Sequence, residues 1–238
     1  MKSNNIYNIL NLIQKMVVYN LRIIFANRFI WFLAGSVLFY MGLSVIYVFD
    51  KDVSDMRDLY GVFLFSGLLL VFYPTVFGIQ NDQDARTIEI LFGIPNYRYK
   101  VWLVRIILIF IIAFMIMLLF TLISSLLIVK FRFVAMTAQV MYPVIFLGLM
   151  AFMLSTVVRN GNGTAVLMII FGLFFLILSN NLEKSQWNVF LNPYEVPYQV
   201  NETTWALIAF KNRIILSAGS VIFLLTALFN LQKREKFM

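Results

Sequence analysis

Carboxylates are few in this 238-residue chain and fall mostly in two groups, which bounds the chemistry open to it. Asp50, Asp52, Asp55 and Asp58 stand within nine residues, interleaved with Lys51 and Arg57. Carboxylates at that density could do general acid–base work, and a membrane enzyme acting on lipids would draw its catalytic groups from Asp, Glu, Ser or Lys. A solvated turn explains the same cluster more simply. The second group is Asp82, Asp84 and Glu89, followed by Arg98 and Lys100, in the stretch QNDQDARTIEILFGIPNYRYK of residues 80–100. Absences exclude most other chemistry. There is no Cys, hence no disulfide, thiolate metal site or Cys nucleophile. There is no His, which removes the commonest metal ligand and the usual general base. A Ser-His-Asp hydrolase and a His-ligated zinc protease both fail. No G-x-x-x-x-G-K-[ST] string occurs, so the chain has no phosphate-cradling P-loop. The expectation is a chain that is not itself an enzyme, with no catalytic, metal or cofactor site of its own.

Composition names the elements that must position these residues. Hydrophobic residues make up 62% and charged residues 13%, against about 45–50% and about 25% in a soluble domain. Too little polar surface exists to wrap such a chain in water. A bilayer core about 30 Å thick takes about 20 apolar helical residues to cross. Six stretches qualify: 29–49, 60–79, 101–129, 133–157, 163–179 and 214–231. Pro74 and Pro143 fall inside spans, where proline is tolerated. Residues 1–28 lack the continuous apolar core and small-residue cleavage site of a signal peptide. Apart from Arg105, no predicted span carries an ionisable side chain of the kind that ion-coupled transporters place in the bilayer. The fold class expected is all-α: a single polytopic transmembrane domain over residues 1–238.

The net charge of +8 would also suit a nucleic-acid binder, but its distribution reads as topology. With six spans, both termini share a side, which holds twelve Lys and Arg (Lys2 to Lys236) against Asp82, Asp84, Glu89 and Glu235. The other side holds seven of each sign, a net of zero. Positive-inside bias places both termini in the cytoplasm. Lys130 and Arg132 then fall outside, where they are read as snorkelling to headgroups. No nucleic-acid partner is expected; membrane lipids are.

Three segments between spans have a pattern of their own. In residues 1–28, Ile6, Ile9, Leu10, Ile13, Met16, Val17, Leu21 and Ile24 form one helical stripe, the signature of an amphipathic helix in the membrane interface. In residues 80–100, Asp82 and Asp84 precede a helical run with Ile88, Leu91 and Phe92 on one face, ended by Gly93 and Pro95. Acids at the start and a Gly/Pro stop bound a short amphipathic helix, either a solvated juxtamembrane helix or a docking element for a soluble subunit. Residues 180–212 carry Trp187, Phe190, Asn192, Pro193, Tyr194, Tyr198 and Trp205. Aromatic side chains prefer the membrane boundary, so this outer segment is expected to re-enter the outer leaflet or pack on helix ends. In it, Trp205 to Phe210 is an apolar run stopped by Lys211 and Arg213, too short to cross.

Together these features resemble the transmembrane subunit of a type-2 ABC transporter permease, over essentially the whole chain. The most specific piece is the loop after the second span. There the family shows an acid, Gly-Thr, an acid, a Leu pair, a Pro and basic residues, places filled here by Asp82, Thr87, Glu89, Leu91, Pro95, Arg98 and Lys100. The family's Gly is Arg86, and the Leu pair is Ile90-Leu91. The resemblance implies that residues 80–100 are a coupling segment docking a separate ABC ATPase subunit. Glu89 and Arg98 would make its polar contacts, and Ile88, Leu91 and Phe92 its apolar seat. It also implies that residues 180–212 correspond to a re-entrant segment, with Asn192-Pro193 at a characteristic position. It further implies a homo- or heterodimer, ATP and Mg on the partner ATPase, export as the direction, and a bacterial inner (plasma) membrane. A membrane scaffold or sensor that recruits a cytoplasmic partner without transport shares the same elements.

Overall fold

The computed structural model describes residues 29–49, 55–84, 98–198 and 200–232. Among these the chain is helical, without strands. Its helices are α1 (Phe29–Phe49), α2 (Met56–Val76), α3 (Gly78–Asp84), α4 (Val104–Leu127), α5 (Phe133–Val158), α6 (Gly161–Asn181) and α7 (Glu202–Asn230). A π-helical stretch, Arg98–Leu103, leads into α4. Six helical runs among the described residues, with α2–α3 and the π-helical lead-in to α4 each read as one, are long and apolar enough to cross a membrane. In hydrocarbon a backbone must satisfy its own N–H and C=O groups, and helices do so within one segment. The architecture therefore fits a multi-pass membrane protein.

α5 is the central element, packed against α2, α4, α6 and α7. Two thirds of its apolar window is buried (67%), against 17% for α1 and α6, so α5 is the hub while α1 and α6 present mostly outward apolar surface. Close packing on α5 depends on small residues. A Cβ at Gly67 of α2 would stand 2.9 Å from Val144, and one at Gly219 of α7 would stand 2.7 Å from the Phe146 ring. Sparse polar contacts tie the helices together. The Thr121 and Thr137 hydroxyls meet at 2.7 Å between α4 and α5. The Tyr40 hydroxyl of α1 donates to the Phe120 carbonyl at 3.0 Å, and its ring stacks on Phe120. The Ser36 hydroxyl donates to the Ser66 carbonyl at 2.9 Å.

The helix ends explain where structure and sequence pattern differ. The second span starts at Met56 rather than residue 60, because Asp55 caps it, accepting from the Met56 N–H at 2.6 Å. Asp58 lies in the first turn, where an acid complements the helix dipole. Two members of the first carboxylate cluster thus serve a helix start. α5 and α6 join through Arg159, in the left-handed region at φ 60°, and Asn160, whose carboxamide oxygen accepts from the Gly163 N–H at 3.1 Å. The largest difference is at the last span. The sequence pattern stops at Lys211 and Arg213, yet α7 runs unbroken from Glu202 to Asn230 and contains the Trp205 to Phe210 run. Lys211 is exposed and Arg213 is buried among acceptors, so neither charge ends the helix. Arg105 is accordingly not the only ionisable group buried in the bundle: Asp82 and Arg213 join it.

Candidate functional site

Polar side chains gather at both ends of the bundle. One cluster lies where α3 and α4 approach, at the two edges of residues 85–97. Arg105 Nη1 donates to Asp82 Oδ2 at 2.7 Å, with the side chains 4% and 7% exposed. The Arg105 guanidinium also sits 4.7 Å from the centre of the Trp102 ring, which packs on Phe152 of α5. Arg105 Nε and Nη2 find no acceptor among the described residues. The Asp82 carboxylate is therefore the group that holds this cation inside the bundle. Removing Asp82 from such a pair leaves the buried Arg105 charge uncompensated.

The neighbouring residues extend the joint across three more helices. The carboxamide oxygen of Gln80 on α3 accepts from the Gly161 N–H at 2.5 Å, tying α3 to the α5–α6 turn. A side chain at Gly161 would collide with the Phe77 ring and the Gln80 carboxamide, so the contact requires glycine. Asn81 and the Tyr73 hydroxyl bond across the Phe77 break between α2 and α3 at 3.2 Å. Asn230 Nδ2 donates to Thr156 Oγ1 at 3.2 Å, fastening the end of α7 to α5.

Of the residues singled out in the coupling segment, Asp82 lies inside the bundle, engaged with Arg105 rather than presented on a surface. Arg98 opens the π-helical stretch. Thr87, Ile88, Glu89, Leu91, Phe92 and Pro95 lie outside the described residues, as do the interfacial stripe of residues 1–28 and the tail from residue 233.

At the opposite end, residues 182–198 fold over the bundle as a series of turns held by asparagines. The Asn192 carboxamide oxygen accepts from the Tyr194 N–H at 3.1 Å, and its Nδ2 donates to the Arg57 carbonyl at 3.0 Å. Trp205 Nε1 donates to the Pro193 carbonyl at 3.2 Å. Asn192, Pro193, Tyr194 and Trp205 are thereby brought together. Trp187, 62% exposed, stands apart from them. Burial, with a contribution from Tyr60, pushes the Tyr194 phenol above its usual pKa against the opposing pull of Arg213.

Beneath this cap lies a cluster that the sequence pattern did not single out. Asn212 Nδ2 donates to the carbonyls of Gln186 and Asn188, both at 2.8 Å. Arg213 Nε donates to Gln139 Oε1 at 2.8 Å and Nη1 to Asn212 Oδ1 at 2.7 Å. Its Nη2 donates to the Tyr60 hydroxyl at 3.2 Å and the Leu191 carbonyl at 3.3 Å. One guanidinium thus joins α2, α5, α7 and the cap. The available signal was a polar residue inside an apolar run: Gln139 in the fourth span, and Asn212-Arg213 between apolar residues of the last. Comparison with protein-family models, with curated proteins and with solved structures returned no match to this chain.

Proposed function

We propose that this chain is the permease subunit of a type-2 ABC transporter, an exporter that forms its substrate path as a dimer and is driven by a separate ATPase. In this reading residues 1–28 lie in the membrane interface, residues 80–100 are the coupling segment that docks the ATPase, and residues 180–212 correspond to the outer re-entrant segment. The observation that carries this reading is the 2.7 Å pair between Asp82 of the docking segment and Arg105 of α4. A segment that only linked two spans needs few residues and no buried ion pair across its base. With that clamp, a push on the docking segment reaches α3 and α4 together. It passes on through Gln80 and Gly161 to the α5–α6 turn, so the helices respond as a body. ATP and Mg belong to the partner; this chain contributes the joint and the path.

The test is reconstitution with the cognate ATPase in vesicles. Replacing Glu89 and Arg98 by Ala should leave the protein in the membrane and lower transport per ATP hydrolysed. Unchanged coupling in that variant would refute the assignment of residues 80–100.

A further inference from the structure

Arg213 borders a groove that the transport reading does not use. The groove encloses about 720 Å³ between α5, α7 and Pro193 of the cap, within the range of about 300–1,000 Å³ typical of small-molecule sites. Its lining is part polar and part apolar. Gln139, Tyr142 and the Arg213 guanidinium supply its polar part; Phe210 stands one turn before Arg213 on α7, and Ile214 and Val221 run on past it, each more than half exposed. These three residues follow the i, i+4 and i+11 positions of one helical face. Small neighbours, among them Ala206 and Ala218, leave the space open between them.

The electrostatics select the ligand. Arg213 is 6% exposed, and no carboxylate lies within ion-pairing distance of it among the described residues. Its four hydrogen bonds all go to neutral acceptors, and the Tyr142 ring lies 5.6 Å from its central carbon. A guanidinium has five N–H donors, so one Nη1 hydrogen has no acceptor among the described residues. A buried cation held by dipoles alone keeps its full charge in a low-dielectric site, where a complementary anion gains most. Tyr60 and Gln139 share its level, four and six residues inside the first residues of α2 and α5. At about 1.5 Å per residue this is roughly 6–9 Å below the helix ends, where headgroups give way to acyl chains in a bilayer.

We propose that this groove binds an anionic amphiphile, with its acidic headgroup on Arg213 and its hydrocarbon tail along Ile214 and Val221. The site is independent of the transport assignment: it would exist in a scaffold as well as in a permease.

The test uses the full chain purified in a neutral detergent. Phosphatidylglycerol and phosphatidylcholine retention are counted by native mass spectrometry, with and without inorganic phosphate. Two variants separate this site from the basic face elsewhere: Arg213→Gln removes the charge, and Ala218→Phe fills the groove while leaving the guanidinium network intact. Wild type should retain one phosphatidylglycerol more than either variant, with a preference over phosphatidylcholine at that site of about tenfold or more, the scale of one charged hydrogen bond. Inorganic phosphate should not displace it. Should Arg213→Gln fail to fold, Ala218→Phe alone decides. Equal retention by wild type and Ala218→Phe would overturn the proposal, as would equal retention of the two lipids. Displacement by inorganic phosphate would overturn the amphiphile and assign a soluble anion instead.

Discussion

Breaking the Asp82–Arg105 pair from one side and then from both separates its structural role from its role in transmission. Both side chains are almost wholly buried, at 7% and 4% exposure, so solvent screens neither. Asp82→Ala leaves the Arg105 guanidinium without the acceptor that holds it, which costs about 3–5 kcal/mol for a buried pair. For a chain of this size that is roughly 6–20 °C in melting temperature, at about 2–4 °C per kcal/mol. Arg105→Met takes the cation away from the carboxylate but keeps an apolar contact on Trp102, and should also destabilise. The double variant buries two uncharged groups, an exchange that is often near neutral, so it should melt close to wild type. The assay is thermal unfolding of the purified protein in detergent, read as a double-mutant cycle. A coupling energy above about 1 kcal/mol is the expected result. Additive single effects would refute the reasoning that the two charges depend on each other. The double variant then tests transmission: folded but without its clamp, it should hydrolyse ATP with its partner while exporting poorly.

Three further outcomes follow from named contacts. Gly161→Ala should destabilise by about 1–3 kcal/mol, the usual scale for overpacking, because its side chain meets Phe77 and Gln80; a melting curve matching wild type would contradict this. Replacing both Thr121 and Thr137 by Val should cost about 0.6 kcal/mol beyond the change in packing, the average for a hydrogen bond between membrane helices, measured by unfolding in mixed micelles. The raised Tyr194 pKa means that the folded state holds that proton more tightly than the unfolded chain does. The resulting stability is fully present below the unfolded value of about 10 and is lost as pH rises through the folded value. Wild type should therefore lose stability relative to Tyr194→Phe only above about pH 10, as melting at stepped pH would reveal.

The helices were legible where a single physical rule governs them. Phe29–Phe49, an unbroken apolar stretch of the sequence, is helical throughout, because nothing but its apolar length decides it. Bounds drifted where a polar residue had an unseen partner. Arg57 and Asp58 read as loop in the sequence, but with Asp55 as cap they make the first turn of α2. Arg213 looked like a stop, and its partners Gln139 and Tyr60 lie 74 and 153 residues away. No local pattern reports such a partner. The same holds for Asp82, which reads as a surface acid before a helical run until Arg105, 23 residues on, is brought against it.

In the proposed function residues 80–100 seat a motor subunit. The most direct measurement is to purify the tagged full chain from native membranes in mild detergent and identify what comes with it. Wild type should bring down a P-loop ATPase in stoichiometric amount, and the Glu89→Ala, Arg98→Ala double variant should bring down much less. A wild-type preparation that carries no ATPase at any detergent stringency would contradict it.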